Sequence, residues 1–141
     1  MPSIISHSEQ DTKKYAKNLF KTLNKPVCIC LYGELGSGKT VFVKGFAAAL
    51  GIEEKRIKSP TYTYLRQYRI GKRLFYHFDF YRINELDDLI GQELIELFAD
   101  PKAYFIIEWP ERIAPILPEN RIDIRIDYLN QTERKISIGH E

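Results

Sequence analysis

The sequence has little of what marks membrane, secreted or nucleic-acid-binding proteins. No apolar run approaches the ~20 residues that a membrane-spanning helix needs, and the N-terminus lacks the basic start and long apolar core of a secretory signal. The formal net charge is only +2, which by itself does not indicate nucleic-acid binding. At 141 residues the chain is too short for two independent cores. We therefore expect one domain, residues 1–141, in the cytoplasm.

Cysteine is also scarce. The two cysteines, Cys28 and Cys30, lie two residues apart in an apolar run, where strand geometry points both side chains to one face and strains a mutual disulfide. We expect both to be reduced and buried as small apolar side chains. No spacing of histidine and cysteine in the sequence indicates zinc.

The first half of the sequence alternates between helical and extended patterns. Ser8 is followed three residues later by Asp11, which is close to a capping box and predicts the start of an amphipathic helix. Residues Val27 to Tyr32 form a short apolar run, typical of a strand in a parallel sheet that is covered on both faces. The next apolar pattern predicts a helix that ends at Gly51.

The second half of the sequence contains more patterns typical of antiparallel strands. Residues 63–81 predict a hairpin, and the alternating segments within 121–139 predict a terminal strand pair. Asn84 and Asp87 predict the N-terminal cap of another helix, while Ala103 to Trp109 predicts a second buried strand. The expected fold class is α/β, with a mixed, partly parallel central sheet and antiparallel hairpins.

The strongest functional signal is the segment 33–40, GELGSGKT, which fully matches the phosphate-binding loop pattern GxxxxGK[ST]. It lies between a predicted buried strand and a predicted helix, so its backbone N–H groups can surround a polyphosphate at the positive end of the helix dipole. Gly36 and Gly38 would allow the close approach or the backbone angles that this requires. Lys39 would reach the β and γ phosphates, and the Thr40 hydroxyl would bind Mg²⁺.

Hydrolysis of a nucleotide also needs a carboxylate at the end of a neighbouring strand, to hold the water shell of the metal or to orient the attacking water. Glu108 ends an apolar strand that, if parallel to the first, reaches the same sheet edge as the glycine-rich loop. Asp79 lies near the end of an aromatic strand. The alternatives are an exposed strand-end acid for Glu108 and an ion pair with Arg82 for Asp79. Which carboxylate holds the metal and which orients water is left open.

Two further positions are of interest. Thr61, in the segment 59–61, follows the predicted helix at a place where many P-loop switches carry a threonine that senses the γ-phosphate. The proline before it could equally start the hairpin. We expect His77 to pack or form a hydrogen bond within the hairpin.

Four blocks together, GELGSGKT, SPTYTY, HFDFYR and EWPER, resemble the TsaE family of small bacterial P-loop ATPases, which take part in forming threonylcarbamoyladenosine beside the anticodon of tRNA. The similarity spans nearly the whole chain. The family commonly has Asp, Ala and Phe where this chain has Glu34, Ser37 and Tyr62, and none of these changes removes a phosphate contact. The resemblance implies a three-layer α/β P-loop domain with mixed strands.

The resemblance also implies a cytoplasmic, Mg²⁺-dependent ATPase that works with the proteins TsaD and TsaB and meets tRNA through their complex. Thr40 and Glu108 would hold Mg²⁺, and Thr61 would act as the switch residue. Lys39, Thr61, Asp79 and Glu108 would form the catalytic set. The residues implied for ATP are Gln10, Thr12, Leu35, Gly36, Ser37, Gly38, Lys39, Thr40 and Glu111. Trp109 would border the nucleotide or a partner.

Two other functions of P-loop proteins are disfavoured by the sequence. A GTP-dependent binding switch is disfavoured because residues 24–27 lack the aspartate of a guanine-reading NKxD motif, and because Asp79 is not followed by the glycine of a DxxG switch. A small-molecule kinase is disfavoured because no segment obviously supplies an arginine-bearing lid over an acceptor pocket.

Overall fold

A computed structural model describes residues 2–58, 64–83 and 86–140. The strands in these ranges are β1 (Ser3–Ser6), β2 (Cys28–Tyr32), β3 (Leu65–Ile70), β4 (Arg73–Asp79), β5 (Ala103–Glu108), β6 (Arg121–Tyr128) and β7 (Arg134–His140). The α-helices are α1 (Glu9–Thr22), α2 (Lys39–Leu50) and α3 (Asp88–Phe98). Short 3₁₀ helices occupy Glu54–Arg56 and Pro110–Ile116. Within these ranges, each helix is too short or too polar to cross a lipid bilayer.

The strands of the described residues form one sheet in the order β1-β7-β6-β2-β5-β4-β3. The central strand β2 is parallel to both β5 and β6, and β4 is parallel to β5. The pairs β3–β4, β6–β7 and β1–β7 are antiparallel. This arrangement confirms the predicted mixed sheet. It also brings the carboxyl ends of β2, β4 and β5 to the same edge, since parallel strands end on the same side.

Helices cover both faces of the sheet and so build three layers. On one face, α1 and α2 bury an apolar core around Ile29, Phe42 and Phe46, while on the other face α3 packs over Phe78 and Phe105. A strand buried on both faces reads as a continuous apolar run, which explains the composition of β2. Both cysteines of β2 are free and buried, as predicted.

Short sequence patterns predicted most of the helix ends correctly. The Ser8 side chain caps α1 by accepting a hydrogen bond from the Asp11 amide, and Gly51 ends α2 with a φ of 102°. The N-cap of α3 is Asp87, whose side chain accepts from the Ile90 amide. Asn84, the other residue predicted to cap this helix, lies outside the described residues. In each case a short polar side chain or a glycine satisfies groups at the helix end that the helix itself cannot pair.

Two features of the sheet were not predicted. Strand β1 is only four residues long, with exposed Ile4 and Ile5, and it exists through pairing with β7 from the other end of the chain. The second feature is the parallel pairing of β6 with β2, which makes the terminal strand pair part of the central sheet. Neither pairing leaves a local pattern in the sequence, because each joins segments far apart in the chain.

Candidate functional site

The glycine-rich loop leaves the end of β2 and enters α2 with three glycines in the positive-φ region. The φ values are 151° at Gly33, 79° at Gly36 and 103° at Gly38. A Cβ at Gly33 would lie 2.5 Å from the Ile126 carbonyl oxygen, whereas the described residues place no atom within 4 Å of a Cβ at Gly36. Gly36 and Gly38 are therefore required for their backbone angles, while Gly33 is also required for the close approach to β6.

Lys39 is the first residue of α2 and points back over the loop. Its Nζ donates a hydrogen bond to the Gly33 carbonyl oxygen and lies 4.0 Å from the centre of the Trp109 ring. Burial lowers the pKa of Lys39, and the nearby carboxylates of Glu108 and Asp79 oppose this effect. Trp109 itself has a φ of 58°, an uncommon conformation for a non-glycine residue that often marks functional sites. The ammonium group is thus held in a desolvated position from which a phosphate could attract it.

The two carboxylates predicted from the sequence lie side by side. Asp79 and Glu108 are register partners at the carboxyl ends of β4 and β5. Glu108 is only 3% exposed, which excludes an exposed strand-end acid, and its Oε2 lies 2.6 Å from Nε2 of His77. As predicted, His77 packs within the hairpin, where its ring lies nearly parallel to that of Phe75. Its hydrogen bond, however, is made outside the hairpin, to Glu108 of β5, the parallel neighbour of β4.

Asp79 has different surroundings from Glu108. Its Oδ1 accepts a hydrogen bond of 3.0 Å from the Tyr81 amide, and within the described ranges it makes no ion pair with Arg82. Burial raises the pKa of Asp79; the Glu108 charge adds to this shift and the Tyr81 hydrogen bond opposes it. A carboxylate with a raised pKa in a cleft is a common property of functional sites.

An open cavity of about 1260 Å³ lies over the loop and the strand ends. This volume exceeds the roughly 300–1,000 Å³ of most small-molecule sites, so a nucleoside triphosphate would fit. The sequence-predicted residues that line it are Gln10, Thr12, Leu35, Gly36, Gly38, Lys39, Thr40, Asp79 and Glu108. Trp109 also lines it. The structure therefore brings most of the predicted site together.

Four predicted residues require separate comment. Ser37, a residue of the loop itself, is buried, and its Oγ has no hydrogen-bond partner among the described residues. Glu111 is exposed on the 3₁₀ helix and is not among the described residues that line the cavity. Thr12 lines the cavity, but its Oγ1 shares a 2.7 Å hydrogen bond with the Ser6 hydroxyl. Thr61 lies outside the described residues, so its role stays a prediction.

Arg134 was missed by the sequence reasoning. From β7 its Nε donates to the Ser37 carbonyl oxygen at 2.9 Å and its Nη2 donates to the Gly36 carbonyl oxygen at 3.3 Å. The guanidinium also lies 4.6 Å from the Tyr128 ring centre. Arg134 thus fixes the loop from the far end of the chain. No motif signals it, since it is 97 residues from Ser37 and acts on backbone oxygens.

The chemistry of the site fits a magnesium nucleotide. Among the described residues, no group of three or more His, Cys, Asp or Glu side chains could hold a metal ion alone. Mg²⁺ is usually bound through one or two protein oxygens together with substrate phosphates and water. Thr40 and a carboxylate beside a phosphate-binding loop would supply such oxygens. The N-cap of α2 is Gly38, which has no side chain to cap the helix, and the first residues of α2 line the cavity, so backbone amides at this helix end would be available to an anion.

A central parallel strand that passes through a glycine-rich loop into a helix, with acidic side chains ending the adjoining strands, is the arrangement of the P-loop class of three-layer α/β proteins. Within that class the family is shown by sequence. The family model described as "Threonylcarbamoyl adenosine biosynthesis protein TsaE" matches residues 6–136. The chain belongs to the TsaE family, which acts in tRNA threonylcarbamoyladenosine biosynthesis.

Individual relatives agree with this assignment. The TsaE protein of Treponema pallidum is 37% identical over 139 residues, which cover 96% of this chain and 98% of the relative. The TsaE protein of Bacillus subtilis is 35% identical over 129 residues, covering 91% of this chain and 78% of the relative. Both are named tRNA threonylcarbamoyladenosine biosynthesis proteins. The crystal structure of Bacillus subtilis YdiB superposes with a TM-score of 0.74 at 28% identity, covering 97% of this chain and 83% of YdiB.

Proposed function

We propose that this chain binds ATP with Mg²⁺ and hydrolyses it to ADP and phosphate, in support of threonylcarbamoyladenosine formation on tRNA. The observation that carries the proposal is the convergence of Lys39, Asp79 and Glu108 on one cavity above the glycine-rich loop. Membership of the TsaE family supports the connection with tRNA modification.

The loop and Lys39 would bind the triphosphate. Backbone amides at the start of α2 offer donors, and the glycines let the loop backbone take the required shape. The pKa of the Lys39 ammonium is lowered by burial, so a phosphate oxygen would offset the cost of keeping it charged. Lys39 would exchange its bond to the Gly33 carbonyl oxygen for one to the phosphates. Gln10 and Thr12 at the start of α1 would form the wall beside the adenine.

The carboxylates would act at the other end of the triphosphate. Thr40 and Glu108 would hold Mg²⁺, which when bound would offset the negative charge on the phosphate oxygens. Asp79 would help hydrolysis by accepting a hydrogen bond from the attacking water, for which a raised pKa is suitable. The alternative is that Asp79 holds Mg²⁺ and Glu108 orients the water. Glu108→Ala should keep much of the binding and lose turnover, and if only Asp79→Ala does so, the two roles are exchanged.

We also propose that the protein works in the cytoplasm with TsaD and TsaB, and that it meets tRNA through their complex. The family assignment supports this proposal. Nucleotide hydrolysis would then support cycles of the modification complex. The chain would not itself transfer the threonylcarbamoyl group.

The function is tested by replacing the loop lysine. Lys39→Ala is expected to lower ATP affinity or turnover at least about 100-fold, because charge stabilisation on the phosphates is lost. Calorimetry would measure binding, and phosphate release without any acceptor would measure hydrolysis. Lys44→Ala on the same helix, outside the residues that line the cavity, is the matched control and should stay within about two-fold.

The same measurements separate the rival functions. Tighter binding of GTP than of ATP would favour a guanine-nucleotide switch, and phosphate release that depends on an added acceptor would favour a kinase. Unchanged ATP affinity and turnover in Lys39→Ala would contradict the site itself.

A further inference from the structure

His77 and Glu108 form a buried contact between neighbouring strands. The side chains of both residues are almost completely buried, and Nε2 of the imidazole lies 2.6 Å from Oε2 of the carboxylate. A carboxylate oxygen accepts, so Nε2 is the donor. The imidazole stacks nearly parallel to the Phe75 ring, with an interplanar angle of 4°. Its Nδ1 has no hydrogen-bond partner in the described part of the chain. The bond to Glu108 is therefore the polar contact that the described residues offer this imidazole.

We propose that His77 is a positioning residue that holds the Glu108 carboxylate in its working orientation. This inference rests on the proposed ATPase function. With Oε2 engaged by the imidazole, Oε1 is the oxygen left for the nucleotide side of the cavity. A single, fixed orientation matters because a carboxylate that holds a metal or orients water must keep its oxygen in place to within a fraction of an ångström.

The strand register explains why a histidine at this position can do so. Asp79 is the register partner of Glu108, and His77 precedes Asp79 by two residues. Residues two apart on a strand project to the same face, so β4 presents the imidazole and the second carboxylate on the side of the sheet where Glu108 lies. The spacing His-x-Asp thus places one residue that anchors Glu108 next to one that faces the cavity.

The contrast with Asp79 supports a positioning role. Asp79 is only partly buried and is bound by the Tyr81 amide, whereas Glu108 is almost fully buried and bound by an imidazole that is itself buried and lies parallel to the Phe75 ring. Burying a carboxylate without a partner is costly, so the imidazole both stabilises Glu108 and limits its rotation. The two strand-end acids therefore differ in freedom although they are neighbours in the sheet.

The test uses two replacements of His77 that differ in their ability to donate. Glutamine carries an amide N–H close to the position of Nε2, whereas leucine has similar bulk and no donor. We expect His77→Leu to lower kcat by about 10–100-fold with KM for ATP changed less than about three-fold. His77→Gln should recover most of the lost kcat. Equal kcat values in folded Leu and Gln variants, or a loss confined to KM, would overturn the proposal.

A second measurement is independent of turnover and of the stability of the leucine variant. In nucleotide-free wild-type protein, ¹⁵N–¹H spectra of the histidine rings should show an exchange-protected imidazole N–H from His77. The chain has three histidines, and His7 is exposed, which simplifies the assignment. Replacing Glu108 by glutamine should shift this signal, whereas Glu111→Gln, the exposed acid nearby, should leave it in place. An absent or unresponsive signal would overturn the proposal.

The two experiments also separate the two inferences. If wild-type protein fails to release phosphate from ATP, the proposed function fails, and the imidazole signal still decides whether His77 holds Glu108. If the wild type hydrolyses ATP and the imidazole N–H signal of His77 is unchanged in Glu108→Gln, the proposed ATPase function stands and the positioning role of His77 is wrong.

Discussion

At the scale of single residues, Asp79 and Glu108 show how one sheet edge creates two environments. Both are strand-end carboxylates and direct register partners. Glu108 is bound by a buried imidazole, whereas burial raises the pKa of Asp79 and the Glu108 charge adds to the shift. Ionised Asp79 therefore works against folding. Active sites often retain such unfavourable groups because the reaction needs them.

Asp79→Asn should accordingly stabilise the protein near neutral pH. The asparagine oxygen can still accept from the Tyr81 amide, while the cost of a partly buried charge beside Glu108 is removed. We expect the melting temperature at pH 8 to rise by about 2 to 4 °C, a shift that corresponds to roughly 1 kcal/mol. Thermal unfolding followed by circular dichroism would measure it, and Asp127→Asn on β6 controls for the loss of one negative charge.

The sign of the pH dependence follows from the direction of the shift. The folded pKa of Asp79 is raised above its ordinary value of 3.8, so the folded state binds the proton more tightly than the unfolded state. The stability of the wild type relative to Asp79→Asn should fall as the pH rises from the unfolded pKa of Asp79 to its folded pKa. Above the folded pKa the difference in stability should stay constant. If Asp79→Asn is less stable than the wild type at pH 8, the raised pKa of Asp79 is wrong.

At the scale of secondary-structure elements, the contact between α1 and α2 sets one wall of the cavity. Gly45 of α2 lies against the backbone of α1, and a Cβ there would be 2.6 Å from both Cα and the carbonyl oxygen of Lys13. The start of α1 carries Gln10 and Thr12 into the cavity. A glycine in the middle of α2 weakens the helix locally, but it allows α1 to approach closely enough to form that wall.

Replacing Gly45 should separate the effect of close helix packing on stability from the effect of helix propensity. Gly45→Ala is expected to lower the free energy of unfolding by about 1–3 kcal/mol, because the new methyl group meets backbone that cannot move aside. Gly91→Ala in α3 is the control, since its Cβ would lie 3.8 Å from Leu86 Cγ, an ordinary contact. That change should raise stability by about 0.5–1 kcal/mol through helix propensity. Urea unfolding would measure both, and effects of the same sign would refute the close-contact explanation.

At the scale of the whole molecule, residues from both ends of the chain line the same cavity as the loop and the carboxylates from its middle. The loop and the carboxylates come from residues 33–40, 79 and 108, while β1 and β7 bring His7 and Arg134 to the same cavity. The His7 ring and the Glu133 carboxylate, 126 residues apart, lie 2.7 Å from each other at its rim. Loop position and cavity shape therefore depend on the folded chain as one unit.

A prediction at this scale concerns assembly. Tagged protein should co-purify with TsaD and TsaB when the three are produced together, and a non-hydrolysable ATP analogue should change the amount retained, because the proposed nucleotide binding would stabilise one arrangement of the loop and its neighbours. Lys39→Ala is the control and should not respond to the analogue. Failure to associate with or without the analogue would refute the proposed partners and leave an isolated ATPase.

Much of the fold and of the candidate site could be predicted from short-range patterns. The cap at Ser8, the buried strand β2, the helix end at Gly51 and the hairpin β3–β4 follow from side-chain type and spacing, which act within a few residues. Asp79 and Glu108 could be predicted because a charged residue that ends an apolar strand is unusual. The contact of His77 with Glu108 could not be predicted, since it required the neighbour of β4 to be known.

The sequence by itself determined the glycine-rich loop, the residue types at the strand ends and the family of the protein. Each of these depends only on contiguous residues or on the order of short motifs along the chain. Only the tertiary structure decided that β5 lies between β2 and β4, that β6 joins β2, and that Arg134 binds the Gly36 and Ser37 carbonyl oxygens. The physical reason is that strand pairing and contacts to backbone oxygens depend on three-dimensional proximity. Backbone groups are the same in every residue, so the residues that they bind leave no local signature in the sequence.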